Sequence, residues 1–298
     1  MAQVKRGYMK QMAAPEDKFV TIDGLKIRYI EQGEGPAAIF LHGASLGSSA
    51  DVFLRNMAAF AQAGLRAIAF DQPGFGLSDV PEDHSMAPRR KSVLGLCRAL
   101  GLNRPALVAH SQAGNMAVQF ALESPDDWSH VVILGTGSLL PPLEERAEGR
   151  EAVAQARLER RMATEEPSID DTRKLLEANL FHHELITPEE LALRHSRSVG
   201  KAFEAFVARS QQPSKPKAPS QGQAQEAPVP MWKRLAEMRT PLLLIYGRND
   251  RANAFERANR LKELFPQLNL HIVPDCKHLV PWDAEKDVAR LAIPFLKS

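Results

Sequence analysis

A serine is a weak nucleophile unless a base takes its proton and a third group holds that base in place. The chain offers such a set. Ala106-Leu107-Val108-Ala109 is an apolar run, and Ser111 follows it between His110 and Gln112, with Ala109 and Ala113 two positions to either side. Small residues at those places are what a sharp strand-to-helix turn needs, because the backbone doubles back on itself there. Such a turn lifts the hydroxyl of Ser111 above a sheet and turns the backbone N–H of Gln112 toward developing negative charge. By itself the segment reads equally well as a serine capping a helix. Asp250, in Ile245-Tyr246-Gly247-Arg248-Asn249-Asp250, and His278, in Val273-Pro274-Asp275-Cys276-Lys277-His278, each stand just past an apolar run. Alone, the aspartate reads as a helix cap and the histidine as a surface-loop residue. Joined to Ser111 they read as nucleophile, orienter and base in the chain order Ser, Asp, His.

Three residues so far apart need a frame that gathers them. Ala37 to Leu41, Arg66 to Phe70, Ala106 to Ala109, Val131 to Leu134, Leu242 to Tyr246 and Leu270 to Val273 are near-continuous apolar runs, suited to strands covered on both faces. Helix-length stretches alternate with them: Val52 to Ala63, Pro88 to Leu100, Gln112 to Glu123, Phe255 to Phe265 and a last one ending near Leu296. The alternation predicts an α/β fold with a mostly parallel sheet flanked by helices, and ligands of such sheets bind beyond the strands' C-terminal ends. Ahead of it, Phe19 to Ile22 and Lys26 to Ile30 flank Asp23-Gly24, a hairpin signal. Between Leu139 and Met238 the pattern changes to amphipathic helices at Glu144 to Arg161, Asp170 to Phe181 and Pro188 to Val207. The expected organisation is a core of residues 1–138 and 239–298 with a helical lid at 139–238. A polar, proline-punctuated stretch at 211–230 is expected to be flexible.

Leu41-His42-Gly43-Ala44, Asp71-Gln72-Pro73-Gly74-Phe75-Gly76-Leu77-Ser78-Asp79, the Ser111 turn, the Asp250 loop and His278 follow one another as in an α/β hydrolase with a helical lid. The chain resembles that family over nearly its whole length. The resemblance implies that the N–H of Ala44 joins that of Gln112 as an oxyanion donor, and that His42 props the oxyanion loop. Within the family, Asp71 to Gly76, Asp275 to Trp282 and Leu185 to Arg194 are similar to segments of the meta-cleavage product hydrolases, which cut carbon–carbon bonds in ring-opened aromatic acids. That similarity implies a cofactor-free reaction, a substrate carboxylate held by Arg194, and Phe181, His110, Leu279 and Trp282 along the substrate. A guanidinium holds a carboxylate through two parallel hydrogen bonds, which lysine does not. The chain also departs from that pattern. Ala44-Ser45-Leu46-Gly47-Ser48 stands in place of a glycine-rich loop, His110 and Phe53 in place of asparagines, and Leu279 in place of a tryptophan.

Composition narrows the partners. The 298 residues carry 38 Lys plus Arg against 36 Asp plus Glu, so no large positive field draws in a polyphosphate, and nucleic acid is not expected. Cys97 and Cys276 are too few and too far apart for a disulfide framework, which fits a reducing cytoplasm. No apolar run of membrane-spanning length occurs, and no membrane is expected. His182-His183-Glu184 lacks a third ligand at helical spacing, so no metal site is expected. The mixed charges of Arg146 to Arg161 suit a solvated helix face. The expected partner is a small molecule bearing a carboxylate, with homo-oligomerisation left open. A carboxylesterase or lactonase, and a non-catalytic binding protein of the same fold, are the alternatives to carbon–carbon cleavage.

Overall fold

The apolar runs pair as strands. In the computed structural model, which describes residues 14–143, 164–211 and 229–298, the strands are β1 (Lys18–Ile22), β2 (Leu25–Gln32), β3 (Ala37–Leu41), β4 (Arg66–Phe70), β5 (Ala106–His110), β6 (Val131–Leu134), β7 (Leu242–Gly247) and β8 (Asn269–Val273). They form one sheet in the order β1-β2-β4-β3-β5-β6-β7-β8. The first two make the expected hairpin, turning through Asp23 at φ 48° and Gly24 at φ 80°. β2 runs antiparallel to β4, and every pairing from β4 to β8 is parallel.

Helices cover both faces, which is why the strands are apolar at successive positions. On one face Phe40 packs against Phe53 and Phe60 from the segment through α1 (Leu54–Gln62), in a core cluster that also holds Met57 and Val288 of α10 (Glu285–Leu296). On the other, Ile39 belongs to one core cluster with Leu96 of α2 (Met86–Ala99), Met116 and Phe120 of α3 (Ala113–Glu123) and Leu261 of α8 (Ala254–Leu264). Adjacent residues thus point into different cores.

The strand order creates the site. From β3 the chain crosses to β4 on one side and later returns to β5 on the other, so the loops leaving β3 and β5 splay apart beside one another. Leu41 pairs with Ala109, which puts His42-Gly43-Ala44 alongside His110-Ser111. Gly247 pairs with Val273 at the same edge, so the loops carrying Asp250 and His278 emerge together.

Between β6 and β7 come α4 (Ile169–Asn179), α5 (Pro188–Ser196), α6 (Lys201–Gln211) and the short α7 (Met231–Arg234); α9 (Val280–Asp283) follows His278. The continuous helix expected over Pro188 to Val207 is two helices: the first stops at Ser196, and Gly200, at φ 58°, turns the chain just before Lys201 opens the second. The helix expected from Val52 begins instead with a 3-10 turn, Ala50–Phe53, capped by the Ser49 hydroxyl. The helix read over Glu144 to Arg161 and residues 212–228 of the polar stretch lie outside the described residues. Among the described residues no helix is long and apolar enough to cross a membrane.

One buried ion network fastens these parts. Arg28 of β2 reaches Asp51 at 2.6 Å and Asp71 at 3.3 Å, and Asp51 also takes the Nε–H of Arg197, just past α5, at 2.8 Å. Asp71 further accepts the N–H groups of Ala50 and Leu77. Burial pushes the Asp71 carboxyl up to about 6 against the pull of Arg28. Burial opposes ionisation of Asp51 as well, but its two arginines outweigh that and hold its carboxyl below the ordinary range.

Candidate active site

Ser111 sits at φ 56°, a left-handed conformation rare for a residue with a side chain and costing about 1–3 kcal/mol. Its surroundings enforce that conformation. The Ser111 N–H donates to Leu134 O at 2.9 Å, and its carbonyl accepts from the Thr136 hydroxyl at 2.6 Å and from Gly114 N at 3.0 Å. A Cβ at Gly114 would fall 2.1 Å from the Thr136 Oγ1, so only glycine leaves room for that hydroxyl. Ala109 and Ala113, the small neighbours, are fully buried.

The hydroxyl meets the base. Ser111 Oγ lies 2.9 Å from His278 Nε2, and His278 Nδ1 lies 3.1 Å from both oxygens of Asp250. With the neutral ring protonated at Nδ1, the imidazole donates to the carboxylate and accepts from the serine. Asp250 also accepts the N–H of Arg251 at 2.7 Å. Burial works against its charge, but His278 and Arg251 more than offset this and hold the carboxyl below its ordinary range. His110 packs beside this group, its ring 5.2 Å from that of His278 and its Nε2–H donating to His278 O at 2.8 Å. Burial, aided by the His278 charge, pushes His110 down to about 3, so it is neutral.

A Cβ at Gly43 would stand 3.0 Å from that of Ser111, so the loop after β3 abuts this serine. Neither the N–H of Ala44 nor that of Gln112 donates to a protein acceptor among the described residues. His42 is fully buried; its Nδ1–H donates to Gly43 O at 2.7 Å and its Nε2 accepts from Gln72 N at 3.0 Å, which fixes a neutral tautomer. Burial holds His42 well below its ordinary range, and the charges of Arg89, Arg194 and Arg209 add to this. The Gln72 side chain donates to His42 O and accepts from Arg89 Nε, while Arg89 Nη1 donates to Gln112 Oε1, each at 2.7 Å. One guanidinium therefore ties both loops that carry the free amides.

The remaining candidates are distributed unevenly. Arg194 of α5 donates through Nη2 to Leu46 O at 2.9 Å and to Ser45 Oγ at 3.2 Å, while its buried Nε has no acceptor among the described residues. Burial pushes it down to about 10. Leu279 is buried in the core cluster under α4, its N–H donating to Asn179 O. Trp282 is also buried, its indole N–H donating to Val52 O and its ring covered by Arg55. Phe181 is 40% exposed and lines an open groove with Arg248, Asp250, Arg251 and Lys277, in whose lining Ser111 has no part. Phe53 is wholly buried against Phe40. His182 and His183 turn to different partners, Glu184 and the Glu177 carbonyl. Among the described residues no three His, Cys, Asp or Glu side chains are grouped to hold a metal ion.

A family model described as the alpha/beta hydrolase fold matches residues 36–285. The chain belongs to the α/β-hydrolase family. It is 31% identical to a 2-hydroxy-6-oxo-6-phenylhexa-2,4-dienoate hydrolase of Burkholderia cepacia, over 94% of this chain and 96% of the relative. It is 30% identical to a 2-hydroxy-6-oxononadienedioate/2-hydroxy-6-oxononatrienedioate hydrolase of Comamonas testosteroni, with the same coverage of 94% and 96%. A solved meta-cleavage product hydrolase from Pseudomonas fluorescens shares the fold at a TM-score of 0.72 and 23% identity, over 94% of this chain and 97% of that one. This α/β-hydrolase chain is therefore a hydrolase, similar along its length to enzymes of that class.

Three residues around the hydrolase site escaped the motif reading: Arg28, Arg89 and Arg209. Arg28 shares the strand face of the fully buried Ile30, two positions on. Arg89 lies four and seven positions before the buried Val93 and Leu96, and Arg209 four after the buried Ala205. A cation on an apolar stripe was the available signal.

Proposed function

We propose that this protein is a serine hydrolase that cleaves the carbon–carbon bond beside a ketone in a ring-opened aromatic acid. The observation carrying this reading is the chain Ser111 Oγ, His278, Asp250, held at 2.9 and 3.1 Å, with Arg194 buried nearby and lacking a carboxylate partner among the described residues. Similarity to enzymes named for dienoic keto acids supports the choice of bond.

The substrate's acid end binds the Arg194 fork, and helices α4 to α6 serve as the lid over it. Ketonisation of the dienol end, with His278 moving the proton, first creates an electron sink conjugated to the bond that will break. His278 Nε2 then takes the proton of Ser111 as Oγ adds to the ketone carbon, and Asp250 stabilises the imidazolium. The free amides of Ala44 and Gln112 receive the oxyanion, each such donor supplying about 3 kcal/mol in the transition state. Collapse breaks the carbon–carbon bond. Its electron pair goes to the sink, His278 returns the proton, and water deprotonated by His278 hydrolyses the acyl-serine. His110 and Leu279 line the reacting end, and Trp282 backs the pocket from α9. Two unpaired cysteines favour a reducing cytoplasm as the setting.

The test presents purified protein with vinylogous diketo acids and with aryl esters, identifying products by mass. Cleavage of the diketo acid at the ketone, falling by about 10⁴-fold or more in Ser111→Ala, is expected. Hydrolysis of esters alone overturns carbon–carbon specificity, and turnover that survives Ser111→Ala overturns the nucleophile.

A further inference from the structure

Ser111, Asp250 and His278 follow β5, β7 and β8, and a fourth loop, the one after β6, touches all three without supplying a reacting group. Gly135 opens it at φ 62°; a Cβ there would stand 3.3 Å from His278 O and 3.6 Å from an Asp250 carboxylate oxygen. Thr136 comes next, 1% exposed, and its hydroxyl donates to Ser111 O at 2.6 Å. Thr136 is itself held from behind. Its carbonyl accepts from the buried Tyr246 hydroxyl at 3.1 Å and from Leu139 N at 3.0 Å. Further along the loop, Arg257 of α8 donates to the carbonyls of Gly137, Leu140 and Pro141.

The bond to Ser111 O matters because of what shares its peptide plane. The C=O of Ser111 and the N–H of Gln112 belong to one planar unit, and in a trans peptide they point in opposite directions. No peptide bond among the described residues is cis. A donor that fixes this carbonyl therefore aims this amide, which itself has no protein acceptor among the described residues. Gly114 N reaches the same carbonyl at 3.0 Å, but from within the turn; Thr136 ties the turn to a different strand. A hydrogen bond at the carbonyl also polarises the peptide and strengthens its N–H as a donor.

Resting on the reading of Ser111 as nucleophile and of Gln112 N–H as oxyanion donor, we propose that Thr136 is a positioning residue for the oxyanion site. Its hydroxyl sets the Ser111–Gln112 peptide so that the amide faces the oxygen that becomes negative as Ser111 Oγ adds to a carbonyl carbon. Thr136 exchanges no proton and forms no bond to substrate; it acts through that one peptide. The amide meets full negative charge only in the transition state, so the effect belongs to kcat and not to KM.

The experiment compares Thr136→Val, which exchanges the hydroxyl for a methyl group, with Thr136→Ser, which keeps it. Turnover is measured on whichever ester or diketo acid the wild type cleaves, and Ser111 is labelled with a fluorophosphonate, a reaction that needs no carbon–carbon chemistry. Thr136→Val should lower kcat and the labelling rate about tenfold or more with KM within about twofold, and Thr136→Ser should stay within about threefold of wild type. A trifluoromethyl ketone, which forms an oxyanion on the serine, should lose affinity in step with kcat. If the valine methyl crowds Gly114 and the chain does not fold, Thr136→Ala carries the same expectations. A serine variant that loses as much as the valine one, or a fall in stability with kcat unchanged, overturns the positioning role. Wild-type labelling at Ser111 with no effect of position 136 sinks the inference while the nucleophile stands. Labelling that persists in Ser111→Ala sinks the nucleophile and the inference with it.

Discussion

The sheet edge and the helices that cross it are held largely by different kinds of bond, the backbone bond from Leu279 N to Asn179 O being an exception. At the edge, the loops carrying Ser111, Asp250 and His278 continue the strand ladder: Ser111 N donates to Leu134 O, Gly135 N to Ile245 O, Arg248 N to Val273 O and Asn249 N to Cys276 O. The helices between β6 and β7 reach the same edge through long side chains, Arg194 to Leu46 O, Arg197 to Asp51 and Arg209 to Gly74 O. A backbone ladder leaves few torsions free, whereas an arginine holds by several rotatable bonds. In the proposed reaction, the sheet edge would therefore fix the reacting groups and the helices would hold the substrate's acid end.

Substitutions can separate the two regions. The largest effect belongs to the edge: Asp250→Asn should lower kcat about 10⁴-fold with folding intact, since the imidazole loses its orienting acceptor. A loss under tenfold would mean the ladder alone positions His278. Next, Arg28→Met leaves the buried Asp71 without a cation and Asp51 with Arg197 as its remaining arginine, and should cost about 3–5 kcal/mol in denaturant unfolding. A cost below 1 kcal/mol would remove the network from the frame.

Acid sensitivity comes third. His110 is neutral in the folded protein, at about 3 against an ordinary 6.5, so between those values the unfolded chain binds a proton that the native one does not. Stability is therefore full above about pH 6.5 and declines as pH falls, by roughly 2 kcal/mol at about pH 5 for this one group. His42 acts in the same direction. Asparagine at position 110 should make the decline shallower in melts across that range, and an unchanged slope would refute the assignment. The smallest effect is expected in the helical region. Arg197→Met leaves Asp51 still paired with Arg28, so it should cost only about 1 kcal/mol and show mainly in KM. A large stability loss would show the helices to be as integral as the sheet.

Much of the site was legible before any coordinates because its residues follow strands whose apolar runs are unmistakable. Ser111, Asp250 and His278 come at fixed offsets from β5, β7 and β8, and parallel pairing leaves little choice about where those offsets meet. The helical region was less legible. Its amphipathic stretches were recognisable, but the break at Gly200 and the outward placing of Phe181 depend on packing partners far away in the chain.

Local pattern by itself determined the strands, the hairpin turn, the tight serine turn and the order of the reactive residues, because each depends on neighbours a few positions apart. Only tertiary structure decided which arginines are buried, which of them lack a counter-charge, and that Arg89 ties the loops after β3 and β5 together. The same guanidinium is a solvated surface group or a buried binding element according to what other parts of the chain place around it, and that environment is not written beside it in the sequence.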